Sequence, residues 1–232
     1  MSQHDLLDGY SPQRRQLLLA GVSTALGWFL GRGSALAQIA QDTLQVLETL
    51  RRVDPARYQP ANGAVYPDPD LGRGLKQVAA LIKAQVGLEV ACLDKGGWDT
   101  HVAQGSTTGW MPANLTDLAQ CLSAFARDMG EGMRGVTLVA MTEFGRRVRE
   151  NSGLGTDHGR AGVMWRMGGG ISGGKVHARW SGLEPHQLEE PGDLKVTTDY
   201  REVLAEVVRK RLGNPNVARV FPGFSQIGAK RG

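Results

Sequence analysis

The spacing of hydrophobic positions changes several times along the chain, and each change predicts an element. Over 40–53 (AQDTLQVLETLRRV), Leu44, Leu47 and Leu50 recur at helical spacing. Pro55, Pro60, Pro67 and Pro69, interleaved with Asp and Gly, mark 54–70 as loop. Over 71–86, Leu71, Leu75, Val78, Ile82 and Val86 form one stripe and predict a helix. Leu88–Leu93 (LEVACL) is an apolar run too short for a helix and reads as a strand. The strongest helical pattern covers 114–130, with Leu115, Leu118, Leu122, Phe125 and Met129 on one face and Asn114 as its cap. Val136–Thr142 (VTLVAMT) and Val163–Met167 read as buried strands, separated by a polar, glycine-rich loop from Glu143 to Gly162. A last helix spans 199–212, with Asp199 and Glu202 as a capping pair and Gly213 as its C-terminal stop. Strands alternating with helices predict an α/β domain, a mostly parallel sheet with helices on both faces.

Residues 1–37 have a different pattern. A polar lead ends in Arg14-Arg15, an apolar run follows from Leu17 to Gly31, and Ala35-Leu36-Ala37 supplies a small-x-small cleavage site. The paired arginines resemble a twin-arginine signal, although Gln13 and Leu17 stand where other residues are commoner. The run falls short of the roughly 20 residues that cross a bilayer, so no stable membrane span is expected after processing. The alternative is a buried N-terminal helix. The export reading predicts a periplasmic or secreted protein whose first partner is the twin-arginine machinery. It divides the chain into a signal over 1–37, a helix and Pro-rich linker over 38–70, and an α/β domain over 71–232.

Composition narrows the function classes. The 232 residues are 41% hydrophobic and 22% charged, which excludes wholesale disorder. The net charge of +4 is mild, the basic residues are scattered and aromatics are only 6%, so no nucleic-acid partner is expected. Cys92 and Cys121 lie in apolar stretches and read as buried thiols, with one disulfide as the alternative. Glycine is frequent (32 residues) without a collagen period, so it serves loops and turns.

Two strand ends run into loops rich in ionisable residues. LEVACL leads into Asp94-Lys95-Gly96-Gly97-Trp98-Asp99-Thr100-His101; VTLVAMT leads into Glu143-Phe144-Gly145-Arg146 and then Thr156-Asp157-His158-Gly159. His101, His158 and His177 lie in or just after these loops. Asp and His together at strand ends suit a divalent ion, since carboxylate oxygen takes hard cations and imidazole borderline ones. The same residues also read as Asx turns, and Glu143 as a salt-bridge partner of Arg146 or Arg147. Gly168–Gly173 matches G-x-G-x-x-G and Gly169–Lys175 approaches a phosphate loop, but a strand and turn follow where a helix is required.

Four ordered runs, GGWDTH at 96–101, TEFGR at 142–146, GTDHG at 155–159 and MGGGISGGKVHARWSGL at 167–183, resemble the exported bacterial family known as domain of unknown function 1501. The resemblance extends over about residues 75–224. It implies a branch of the alkaline phosphatase and sulfatase superfamily: a three-layer α/β/α fold around a mostly parallel sheet, holding one or two divalent ions of zinc, manganese or calcium. Asp99 and His101 are then similar to an Asp/His metal pair. Glu143 stands at a strand-end ligand position, Arg146 near a substrate oxygen, and His158 with Asp157 at the later ligand position. A second register equates Asp157-His158 with the superfamily's Asp-His-Gly and makes His177 the last ligand. Thr100 and Thr156 are the only nearby hydroxyls for a nucleophile, and Thr100 is the candidate catalytic one. Family members are usually about twice as long, so the resemblance covers the C-terminal half of that domain and implies a sheet incomplete on its N-terminal side. The function implied is metal-dependent hydrolysis of an anionic small-molecule or polymer phosphate or sulfate ester; the alternative is an inactive metal-binding or accessory domain.

Overall fold

The computed structural model describes residues 35–55, 57–67 and 70–224. The signal expected over 1–37 lies outside them except for its last three residues, which open a helix. The chain divides into two units, 1–57 and 58–232. In the first, α1 (Ala35–Val53) begins ahead of the predicted start and leaves Leu44 and Leu47 exposed.

In the second unit, α2 (Leu71–Lys83) packs against α3 (Trp110–Met129). The stripes read from sequence meet here: Leu71, Leu75 and Ala79 of α2 close on Cys121, Phe125 and Met129 of α3. α3 starts four residues before Asn114, at Trp110, with Gly109 at the N-cap position and no side-chain cap; Asn114 instead donates its amide to the Gly97 carbonyl. Asp128, 1% exposed, ties the preceding segment onto the helix pair. One carboxylate oxygen accepts from the Tyr58 hydroxyl (2.7 Å), the Ala61 amide (2.7 Å) and Lys83 Nζ (2.6 Å). The other accepts from the Tyr66 hydroxyl at 2.7 Å. Both oxygens of this buried charge accept hydrogen bonds and one is paired with Lys83, the condition under which desolvation is offset. The two cysteines are not joined in a disulfide: Cys121 is buried as expected, whereas Cys92 is exposed.

A 3-10 turn (Gly130–Gly135) leads from α3 into β1 (Thr137–Ala140). β1 pairs antiparallel with β4 (Trp165–Gly168). Nested between them, β2 (Gly145–Arg146) pairs antiparallel with β3 (His158–Gly159). β4 continues into Gly169, whose amide donates to Met133 and Val136 carbonyls at 2.9 Å. A side chain there would lie 1.9 Å from the Arg134 carbonyl oxygen, so the triple-glycine run is a close crossing of backbones. α4 (Tyr200–Lys210) is capped by Asp199, which accepts from the Arg201 amide rather than pairing with Glu202. A single turn, α5 (Val217–Val220), follows.

This corrects the expected architecture. The alkaline-phosphatase-like three-layer α/β/α arrangement around a mostly parallel sheet is not formed: the strands make two short, two-stranded antiparallel sheets. The physical reason lies in Leu88–Leu93. A parallel sheet needs that run to add to β1 across the α3 crossover, and among the described residues β1 is laddered on one edge only, antiparallel to β4. Leu88–Leu93 forms no strand, and its Val90 and Leu93 are exposed. The stretch 175–183, read as strand and turn, also lacks strand pairing, and its Val176 and Trp180 are exposed. Among the described residues, no helix is long and apolar enough to cross a membrane.

Candidate metal centre

Two loops build the site. Residues 98–104 follow the unpaired LEVACL run, and residues 151–158 lead into β3. Their backbones are stitched by hydrogen bonds from Ala103 to Gly153 (2.9 Å), Gln104 to Leu154 (2.9 Å) and Thr156 to Thr100 (3.3 Å). Gln104 Oε1 clasps them a second time, accepting from both the Thr100 and Thr156 hydroxyls at 2.9 and 2.7 Å. The approach is close enough to require Gly155, where a Cβ would stand 2.3 Å from the His101 carbonyl group. Ala103 and Leu154, at the stitched ends, adopt positive φ of 49° and 60°. Such strain persists only where surrounding contacts over-determine the backbone.

The β2–β3 pair then sets His158 directly opposite Arg146. Three nitrogens converge on one oxygen, Asp99 Oδ1: His158 Nε2 at 2.8 Å, His101 Nε2 at 3.0 Å and Arg146 Nη2 at 3.1 Å. The two imidazole centroids lie 4.9 Å apart. Phe144 stacks on the His158 ring at 4.1 Å, with the Arg146 guanidinium 4.9 Å from its own centroid. The hydrogen bond from His158 holds the Asp99 carboxyl below its ordinary range, helped by the charge of His101 and by Arg146.

Asp157 lies on the other side of His101, its Oδ1 3.1 Å from Nδ1. The same oxygen accepts from Asn151 Nδ2 at 2.9 Å. The Asn151 bond first, and the His101 bond after it, hold this carboxyl below its ordinary range.

The structure therefore brings Asp99, His101 and His158 together, with one ligand atom of each within 4.8 Å of the others. Asp157 touches the triad only through the far nitrogen of His101. The Arg146 guanidinium donates to the Trp98 and Thr156 carbonyls as well as to Asp99, so it braces the loops. Thr100 is 7% exposed and gives its hydroxyl to Gln104. Glu143 and His177 are exposed and stand outside the triad. Sequence reading did not single out Asn151, Gln104 or Phe144. Asn151 carried a signal: its Oδ1 accepts from the Gly153 amide two residues on, an Asx turn that Asn-x-Gly foreshadows. Gln104 and Phe144 carried none.

The family described as protein of unknown function DUF1501 matches residues 34–211, well over half of the chain. The chain belongs to this family. No curated protein and no solved structure matches it.

Proposed function

We propose that Asp99, His101 and His158 hold one divalent cation, and that the site hydrolyses a phosphate or sulfate ester. The convergence of two imidazoles and a carboxylate carries this reading. The donors fit an ion: ligand atoms around a tetrahedral cation with bonds of about 2.0–2.2 Å stand about 3.3–3.6 Å apart. The two distances to Asp99 Oδ1, 2.8 and 3.0 Å, need a small opening, and all three ligand atoms lie within 4.8 Å of one another. Three protein ligands with open space beyond them are the arrangement of a catalytic rather than a structural site. Two imidazoles favour zinc or manganese over calcium.

When bound, the ion supplies Lewis-acid polarisation of an ester oxygen. The chain's own residues supply orientation and charge. Arg146 fixes Asp99 and both loops, and Arg147, whose charge helps to hold Asp157 ionised, adds positive potential that suits an anionic ester. The Thr100 and Thr156 hydroxyls are both given to Gln104, which favours water over a side chain as the attacking group. Export rests on Arg14-Arg15 and the apolar run after it, and places this chemistry in the periplasm or outside the cell.

One observation favours the alternative of binding without turnover. The Asp99 and His158 side chains are 60% and 49% exposed, so water is not excluded from the centre. The test is release of nitrophenol from nitrophenyl phosphate and nitrophenyl sulfate by zinc- or manganese-loaded protein. Metal-dependent release that Asp99→Ala abolishes supports hydrolysis. A fully loaded protein that releases nothing from either ester overturns hydrolysis and leaves the binding reading.

A further inference from the structure

We infer that Asp157 is a positioning residue that acts on the metal through His101 and is not itself a ligand. This rests on the metal-site reading above and deepens it. An ionised carboxylate only accepts hydrogen bonds. With Asp157 Oδ1 3.1 Å from Nδ1 of His101, that nitrogen must carry the proton. Nε2, 3.0 Å from Asp99 Oδ1, is then the nitrogen that would exchange its own proton for the cation, while Nδ1–H stays on Asp157.

Asn151 makes the arrangement rigid. Its amide nitrogen donates to Asp157 Oδ1 (2.9 Å) and to the His101 carbonyl (3.0 Å). Its oxygen accepts from the Gly153 and Gly155 amides at 2.9 and 3.1 Å. Both ends of the His101 residue, backbone and ring, are therefore gripped from the 151–157 loop. A carboxylate behind a ligating imidazole fixes ring orientation and raises ligand basicity, and losing it lowers metal affinity about 10- to 100-fold. Asp157 is half-exposed, so the lower end of that range applies.

The experiment titrates cobalt(II) into metal-free wild-type, Asp157→Ala and Asp157→Asn proteins. It follows visible absorption and chelator competition, and records the thermal midpoint of each metal-free protein. Asp157→Ala is expected to saturate with wild-type band positions but bind about tenfold more weakly. Asp157→Asn, which keeps an acceptor for Nδ1–H, is expected to recover most of that loss, and the metal-free midpoints are expected to stay close. Shifted cobalt bands in saturated Asp157→Ala would make Asp157 a ligand and overturn the proposal. Unchanged affinity would overturn it too, as would a lowered metal-free midpoint with no rescue by Asn. Failure of the wild-type protein to take up cobalt is a separate outcome, which removes the metal site itself.

Discussion

His158 Nε2 lies 2.8 Å from Asp99 Oδ1, although the two residues are 59 positions apart in the sequence. Two independent devices close that distance. The β2–β3 pair presents His158 opposite Arg146, and Arg146 reaches across to Asp99 and to the Trp98 carbonyl. The stitched loops then bring His101 in from the same side as Asp99.

The closeness of those loops predicts the effect of Gly155→Ala. The new methyl would lie 2.3 Å from the His101 carbonyl group and 2.5 Å from the Thr100 carbonyl oxygen. Backbone atoms on both sides leave no flexible neighbour to give way. The loops must part, at a cost of about 1–3 kcal/mol. Metal affinity, read by chelator competition, should fall at least tenfold, while the far-ultraviolet dichroism of the helices stays unchanged. Wild-type affinity in this variant would show that the approach of the two loops does not build the site.

Asp128 predicts the acid limb of stability. Burial opposes its ionisation, but Lys83, the Ala61 amide and the Tyr58 and Tyr66 hydroxyls outweigh it and hold the carboxyl below its ordinary value. A lowered folded-state pKa contributes stability that is present above the unfolded value of about 3.9 and is lost as pH falls through the folded one. Lys83 has the opposite sign. Burial pulls its pKa down, but Asp128 and Tyr58 raise it above the usual value. Its contribution is present below about pH 10.4 and is lost on further alkalisation. Thermal midpoints of the wild-type protein should therefore drop below about pH 4 and again above about pH 10. Asp128→Asn should lower the midpoint at neutral pH and flatten the acid drop. An acid limb as steep as in the wild-type protein would exclude Asp128 as its source.

The α2–α3 contact carries the folded unit. Phe125 is buried against Leu71, Leu75 and Ala79, and Phe125→Ala should cost about 3–5 kcal/mol by urea unfolding. A loss under about 1 kcal/mol would show that this cluster is not the core.

The sequence made the helices legible and the sheet illegible, for one physical reason. A helix satisfies its own hydrogen bonds, so the stripes at Leu71, Leu75 and Val78, and at Leu118, Leu122 and Phe125, predict both the elements and the faces that meet. A strand needs a neighbour, and an apolar run does not name it. LEVACL has strand composition, yet among the described residues it pairs with no strand, and β1 is laddered only to β4. The site divides in the same way. Asp99, His101 and His158 were found because their chemistry is visible in their residue types. The separation of Asp157 from the triad was not, because adjacent residues in β geometry point to opposite sides, and only the paired loops fix which side faces Asp99.

The most direct test of the account is metal content, by elemental mass spectrometry, of purified wild-type protein refilled with zinc or manganese, beside Asp99→Ala and His158→Ala. The account predicts about one equivalent in the wild-type protein and almost none in either variant, with all three folded by circular dichroism. Folded wild-type protein that retains no metal after refilling, or variants that load as fully as wild-type, would contradict it.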